Sequence, residues 1–375
     1  MVFVLLSIVA QTIFSASKAE CLAQRSRSGS ESKPAANRWD RDLQIAKQFA
    51  PIIYQGLGDN PRGDYITNFD FDGDWKGDNN WKNLDNTSYK LNAWVYYSVI
   101  ETSTHYFVHY ATFHPRDYKG GLVKSQLLDL LLKEGMERAG SDPTGMADDV
   151  ALSHENDLEG CLVVALKPTE RTSAGKVQYV ETVAHNRFLK YYAANTKTDI
   201  GDPIEIRDEH PVLFSEPKGH GMSKYTGDPK QLKNSVNKVL VYSYGGRAED
   251  PEARRRNSIT YDLTPIYSTL WEHAQDGENP TYGEKLDYKQ FKILTRSAGN
   301  DSTIESAAMV LGSAFRGNVG FKNKARPPWG WFDETEKDRP AGEWFFDPAD
   351  VIKRHFQLGD NFSVAYLYNP YLKIE

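Results

Sequence analysis

Two runs, Ala93-Trp-Val-Tyr-Tyr-Ser-Val-Ile100 and His105-Tyr-Phe-Val-His-Tyr-Ala-Thr-Phe113, decide the fold class. Both are dense in β-branched and aromatic residues, and only the polar Glu101-Thr-Ser-Thr104 separates them, so they read as a hairpin. Residues 160–166 and 177–183 make a second pair around a polar stretch, and 211–214 and 239–244 add two short strands. Short strands at these spacings predict a mainly β fold, specifically a β-sandwich with helical insertions. The clearest helical period falls at 122–136, where Leu127, Leu128, Leu131 and Leu132 form one stripe.

Outward from this centre the chain divides by composition. Residues 39–270 read as the sandwich domain. Residues 271–375 read as a C-terminal extension packed on it, because they carry polar loops and two aromatic clusters but no hydrophobic period of their own. The clusters are Pro327-Pro-Trp-Gly-Trp-Phe332 and Glu343-Trp-Phe-Phe346, which suit core packing better than stacking on a sugar. At the other end, residues 2–14 are apolar but too short to span a bilayer, and small residues follow at Ser17-Lys-Ala19 and Cys21-Leu-Ala23. Residues 1–23 are therefore expected to be a signal peptide and 24–38, polar and rich in Ser and Arg, a disordered linker. On that reading the mature chain is secreted, has no transmembrane segment, and keeps only Cys161 of the two cysteines, so no disulfide framework is expected. A formal charge of −6 argues against a nucleic-acid partner, whose phosphates require a basic excess.

The stretch with the most chemistry is Ser153-His-Glu-Asn-Asp-Leu-Glu-Gly160, immediately before an apolar strand. Asp157 and Glu159 share one face of an extended chain. Carboxylates and an imidazole crowded at a sheet end repel one another and resist burial unless a cation balances them. Oxygen donors plus one histidine suit Ca²⁺, Mg²⁺ or Mn²⁺ better than zinc. An Asp-rich loop supplies a second candidate, a calcium site at Asn68, Asp70, Asp72 and Asp74 with Gly73 at the sixth position. Its twelfth position is Asn79 rather than the bidentate Glu of an EF-hand. His185, after a strand, and His220, between two glycines, are candidates for ligand contact. His114 is expected to lie off the site face, because its parity is opposite to that of Asp117.

The order Tyr110-Ala-Thr-Phe-His-Pro-Arg-Asp117 followed by His154-x-x-Asp157-x-Glu159 resembles the signature of the necrosis- and ethylene-inducing proteins. The resemblance implies a cation held by Asp117, His154, Asp157 and Glu159. Further along, Val183-Ala-His185, His210-Pro-Val-Leu-Phe-Ser215 and Gly219-His-Gly221 resemble elements of the vacuolar protein sorting-associated family numbered sixty-two. Together the two similarities span about residues 90–245. The sequence departs from the necrosis-inducing pattern at Leu158, where that family has Trp, and at Asn156, where it has a second His.

Three readings of function follow. The resemblance implies a secreted, divalent-cation-dependent binding protein of cytolysin-like type that recognises a sugar or lipid headgroup, such as a glycan or glycolipid. A metal-assisted hydrolase of phosphoesters or glycans is an alternative, though no Gly-x-Ser-x-Gly elbow or phosphate loop is present. A third is a scaffold in which the cation only pins loops. The expectation leans away from an enzyme.

Overall fold

The computed structural model describes residues 36–118, 153–169 and 174–374, apart from 233–234, 236–237, 254–255, 275–279, 283–284, 287–291, 298–299, 306–310, 313, 321–323 and 337–338. The expected signal peptide, the linker as far as residue 35 and the helical stripe at 122–136 lie outside the described residues. The chain divides into two compact units, residues 1–39 and 40–375.

The strands, in chain order, are β1 (Ile52–Leu57), β2 (Trp94–Thr102), β3 (His105–Asp117), β4 (His154–Leu166), β5 (Lys176–Val183) and β6 (Phe188–Ala193). They continue as β7 (Asp202–Ile204), β8 (Ile206–Arg207), β9 (His210–Ser215), β10 (Met222–Lys224), β11 (Lys238–Tyr244) and β12 (Ser258–Pro265). Two small ladders follow, β13 (Lys285–Leu286) with β16 (Leu311–Gly312) and β14 (Lys292–Ser297) with β15 (Asn300–Glu305). The last strand, β17 (Tyr366–Tyr368), returns to pair with β2. The helices are α1 (Ala36–Phe49), α2 (Pro61–Asp64), α3 (Asn80–Asn83), α4 (Leu270–Ala274), α5 (Glu343–Phe346) and α6 (Pro348–His355).

Thirteen strands share one sheet, ordered β10-β9-β1-β11-β12-β2-β3-β4-β5-β6-β7, with β8 on β9 and β17 on β2. The hairpin β2–β3 and the antiparallel run β3–β4–β5–β6 form its centre. Parallel pairs join β1 to β9, β11 to β12 and β12 to β2. The mainly β expectation holds, but the expected sandwich is replaced by one mixed sheet that curls nearly closed. The reason is β12: by pairing with both β11 and β2 it splices what would be two sheets into one path. At the seam β10 lies against β4 and β5, and Lys224 Nζ reaches Asp202 at 3.2 Å.

A curled sheet has two faces to bury, and strand alternation serves both. Inward, Val95, Tyr97, Val108, Tyr110, Cys161, Val163 and Ala165 pack with Tyr242, Ile259 and Tyr261, and α1 contributes Ile45, Ala46 and Phe49. Outward, Tyr96, Phe107, Phe113, Leu158, Leu162 and Val164 pack under Trp329, Trp331, Trp344 and Phe345. Each Val, Leu, Ile or Phe among them contributes about 1.5–3 kcal/mol by leaving water. The indoles are also anchored by hydrogen bonds, Trp331 Nε1 to the Leu158 carbonyl at 3.1 Å and Trp344 Nε1 to Glu181 at 2.8 Å. No helix among the described residues is long and apolar enough to cross a membrane.

Candidate cation-binding site

The inward alternation of β4 runs past its apolar part. Below Cys161 the same face presents Glu159 and then Asp157, and both are buried. Across the ladder, β3 sets Thr112 opposite Glu159 and His114 opposite Asp157. His114 therefore lies on the site face, contrary to the parity expectation. Counting from Asp117 along one strand was the wrong reference, since the ladder partner decides which side chains meet.

An ideal pleat would send His154 and Asp157 to opposite faces. Asn156 adopts a left-handed φ of 63°, which breaks the alternation and returns His154 to the cluster. His154 Nε2 then lies 3.5 Å from Asp117 Oδ2 and 3.9 Å from Asp157 Oδ1. Its other nitrogen, Nδ1, faces the Glu155 carbonyl at 3.0 Å. Behind Asp157 stands His220, from the β9–β10 loop, with Nδ1 at 2.8 Å from Asp157 Oδ2 and Nε2 at 3.2 Å from Asp64 Oδ1. The ring of His114 stacks flat on that of His220, centroids 3.9 Å apart and planes 3° from parallel. At the rim, His185 and Glu216 hydrogen-bond to each other and are both substantially exposed.

The electrostatics follow from burial and neighbours. Burial alone would push the Asp157 carboxyl up, but the hydrogen bond from His220 and the charges of His154 and His220 hold it well below the usual carboxylate range. Burial likewise opposes charge on His220, yet its bonds to Asp157 and Asp64 raise it to about 9. His154 is pushed down by burial, against the opposing pull of Asp117 and Asp157. Glu159 moves furthest the other way: burial, then the negative charges of Asp157 and Glu216, push its carboxyl well above the ordinary value. Its Oε2 is buried without a hydrogen-bond partner, and among the described residues neither it nor Asp157 is paired with Lys or Arg.

The donor chemistry fits a hard or borderline divalent ion: three carboxylates and one imidazole at one sheet end, with one carboxylate oxygen unsatisfied. As the side chains stand, no group of three or more His, Cys, Asp or Glu among the described residues is gathered closely enough to hold an ion. The structure thus brings Asp117, His154 and Asp157 together, with Glu159 beside them on the same face as Asp157. Asp64 and Glu216 also belong to the cluster and escaped the sequence reading. Asp64 sits in Pro61-Arg-Gly-Asp64, a four-residue helix with no distinguishing signal, and its role depends on contacts more than fifty residues away.

The Asp-rich loop is organised differently. Asn68 bonds Asp70 at 2.7 Å, Asn83 bonds Asp72 at 2.6 Å, and Asn79 bonds Asp74 at 3.2 Å. Each carboxylate is thus engaged with a different side-chain amide, and Asp72 and Asp74 also accept the backbone N–H two residues on, as in Asx turns. A shallow surface cleft between Phe188, Trp331, Phe332, Glu336, Glu343 and Trp344 includes none of the residues of either cluster.

No family model matches the chain, and no curated protein is similar to it. Some solved structures are similar over part of its length. The non-toxic protein HaNLP3 aligns at 16% identity over 53% of this chain and 74% of its own, with a TM-score of 0.28. NLPPya in complex with glucosamine aligns at 13% identity over 48% of this chain and 67% of its own, with a TM-score of 0.25. Necrosis and ethylene inducing protein 2, from the causal agent of cocoa's witches' broom disease, aligns at 15% identity over 58% and 72%, with a TM-score of 0.24. All are necrosis- and ethylene-inducing proteins, the first of the two families that the motifs resemble. At these TM-scores the alignments carry no weight for function, which rests on the geometry of the site.

Proposed function

We propose that this protein is an exported, divalent-cation-dependent binding protein, in which Asp117, His154, Asp157 and Glu159 hold the ion. The exposed rim, His185 and Glu216, meets the polar headgroup or sugar that the ion helps to recognise. The observation that carries this reading is Glu159, 8% exposed, with one carboxylate oxygen lacking a partner and two further carboxylates close by. A buried carboxylate oxygen without a partner costs several kcal/mol, and a divalent ion drawn to it offsets that cost. The ion would supply positive charge for hydroxyl or phosphate oxygens without any bond being broken. The ligand class rests on the motif resemblance alone.

Low exposure favours a second reading, in which the ion pins the start of β4 and nothing else binds, since Asp117 and His154 are each 4% exposed. Catalysis is not assigned, because both ring nitrogens of the central histidine, His220, are committed to carboxylates.

Calorimetric titration of Ca²⁺, Mg²⁺ and Mn²⁺ into the wild type and Asp157→Ala tests the site. Binding of one ion that disappears in the variant is expected; a wild type that binds none sinks the proposal. A second equivalent that persists in Asp157→Ala and vanishes in Asp72→Asn would assign the loop at Asn68–Asp74 as a further calcium site. Glycan and liposome binding with and without the ion then separates the two readings: if the ion raises thermal stability but no ligand binds, the pinning role stands alone.

A further inference from the structure

Asp64 is completely buried, and each of its carboxylate oxygens accepts two hydrogen bonds. Oδ2 takes the Gly58 backbone N–H at 2.7 Å and the Tyr118 hydroxyl at 2.9 Å. Oδ1 takes the Lys218 backbone N–H at 2.7 Å and faces His220 Nε2 at 3.2 Å. The backbone carbonyl of the same residue faces His114 Nδ1 at 3.0 Å. With a carboxylate oxygen at each ring nitrogen, His220 donates from both, so its ring plane is fixed from two sides. His114, which donates from Nδ1 to that carbonyl, lies flat against it and closes the third direction. His220 itself has a left-handed φ of 55°, and Lys218 one of 75°, so the loop that presents the ring is held in a conformation non-glycine residues rarely adopt.

The consequence falls on Asp157. Its Oδ2 is taken by His220, while Oδ1 faces His154. We propose that Asp64 is a positioning residue of the cation site, acting through His220 to hold Asp157 with one oxygen committed and the other turned to the ion. The inference rests on the cation reading above and extends it to a residue that makes no contact with the ion. The chain Asp64–His220–Asp157 joins the β1–α2 corner and the β9–β10 loop to β4, so three separate segments set the angle of one ligand. Residues that hydrogen-bond a metal ligand's partner without touching the ion typically change metal affinity about 10–100-fold when removed.

The test uses calorimetric titration of Mg²⁺, Ca²⁺ and Mn²⁺ into the full chain and four variants: Asp64→Asn, His220→Gln, the double variant, and Tyr118→Phe. Tyr118→Phe removes a bond to Asp64 of the same kind but leaves His220 untouched. The expected result is an affinity loss of about 10-fold or more in Asp64→Asn and in His220→Gln. The double variant should lose no more than His220→Gln alone, and Tyr118→Phe should keep wild-type affinity. Additive losses in the double variant, an equal loss in Tyr118→Phe, or wild-type affinity in Asp64→Asn would each overturn the proposal. A wild type that binds none of the three ions overturns the cation reading itself, a result distinct from any of these. Should Asp64→Asn fail to fold, nitrogen-15 spectra of the wild-type histidines decide: two protected ring N–H signals from His220 are expected, and a single one overturns the chain.

Discussion

Asn156 sits at φ 63° with its side chain shared among three segments: it accepts from Asn80 at 2.7 Å and donates to the carbonyls of Gly77 at 2.6 Å and Arg316 at 2.7 Å. It occupies the place where the resembled signature has a second histidine, and here that place serves packing. Next to it, Glu155 accepts the backbone N–H groups of Trp81 at 2.7 Å and Asn318 at 2.7 Å. Replacing Asn156 with Ala removes the donor from the buried Gly77 carbonyl and from the part-buried Arg316 carbonyl, and it leaves a residue without a compensating amide in the left-handed region. We expect a loss of roughly 2–4 kcal/mol, read from urea unfolding. His154 should also move away from Asp157, so cation affinity should fall with stability. A variant as stable as wild type would show that the backbone at 156 is not under side-chain control. At Leu158, where the resembled signature has Trp, the backbone carbonyl accepts the Trp331 indole N–H. That Asp157 and Glu159 share one face was legible because alternation and charge density are local properties; the structural duties of Asn156 and Glu155 were not, because their partners lie at 77–81 and 316–319.

Among the elements, the hairpin of β2 and β3 was plain in the sequence, since eleven of its residues are Trp, Tyr, Phe, Val or Ile, whereas β1 and β12 passed unread. β12 does alternate, with Ile259, Tyr261 and Leu263 inward and polar residues between, so its existence was legible. Its parallel pairing with β2 was not, because the partner lies more than 160 residues earlier and no local turn announces it. That one unread pairing is why two sheets were expected and one formed. A different element carries a pH dependence. α6 ends at His355, whose Nδ1 lies 2.7 Å from Glu181 of β5 and whose Nε2 lies 2.9 Å from Glu336. Burial opposes the charge on His355, but the two carboxylates overcome it and raise it to about 9. Because the folded value is above the ordinary one of 6.5, the contribution is complete below about pH 6.5 and disappears as pH rises through about 9. It amounts to about 2–3 kcal/mol. Thermal unfolding of wild type and His355→Gln should differ most at pH 6 and converge by pH 10; a gap that stays constant across that range would rule the ion pair out as its cause.

On the scale of the whole molecule, the sheet is a wall shared by two cores, since alternate residues of β2 to β5 belong to the inner and the outer cluster. Neither face can lose its cover without disturbing the strands that hold the other. The far-ultraviolet signal of the sheet and the fluorescence of Trp271, Trp329, Trp331 and Trp344, all in the outer core, should therefore vanish in one transition at one denaturant midpoint. Separate midpoints would show that the outer cover of residues 325–374 melts on its own.

Asp64 meets Tyr118 across 54 residues, Lys218 across 154 and His220 across 156, and His220 meets Asp157 across 63. Loops of that length close late, after the local hairpins have formed. On that argument the cluster is complete only once these long-range closures are made. An ion that prefers it has nothing to grip earlier on the folding path, so it would act on the rate at which the finished molecule comes apart rather than on the rate at which it is built.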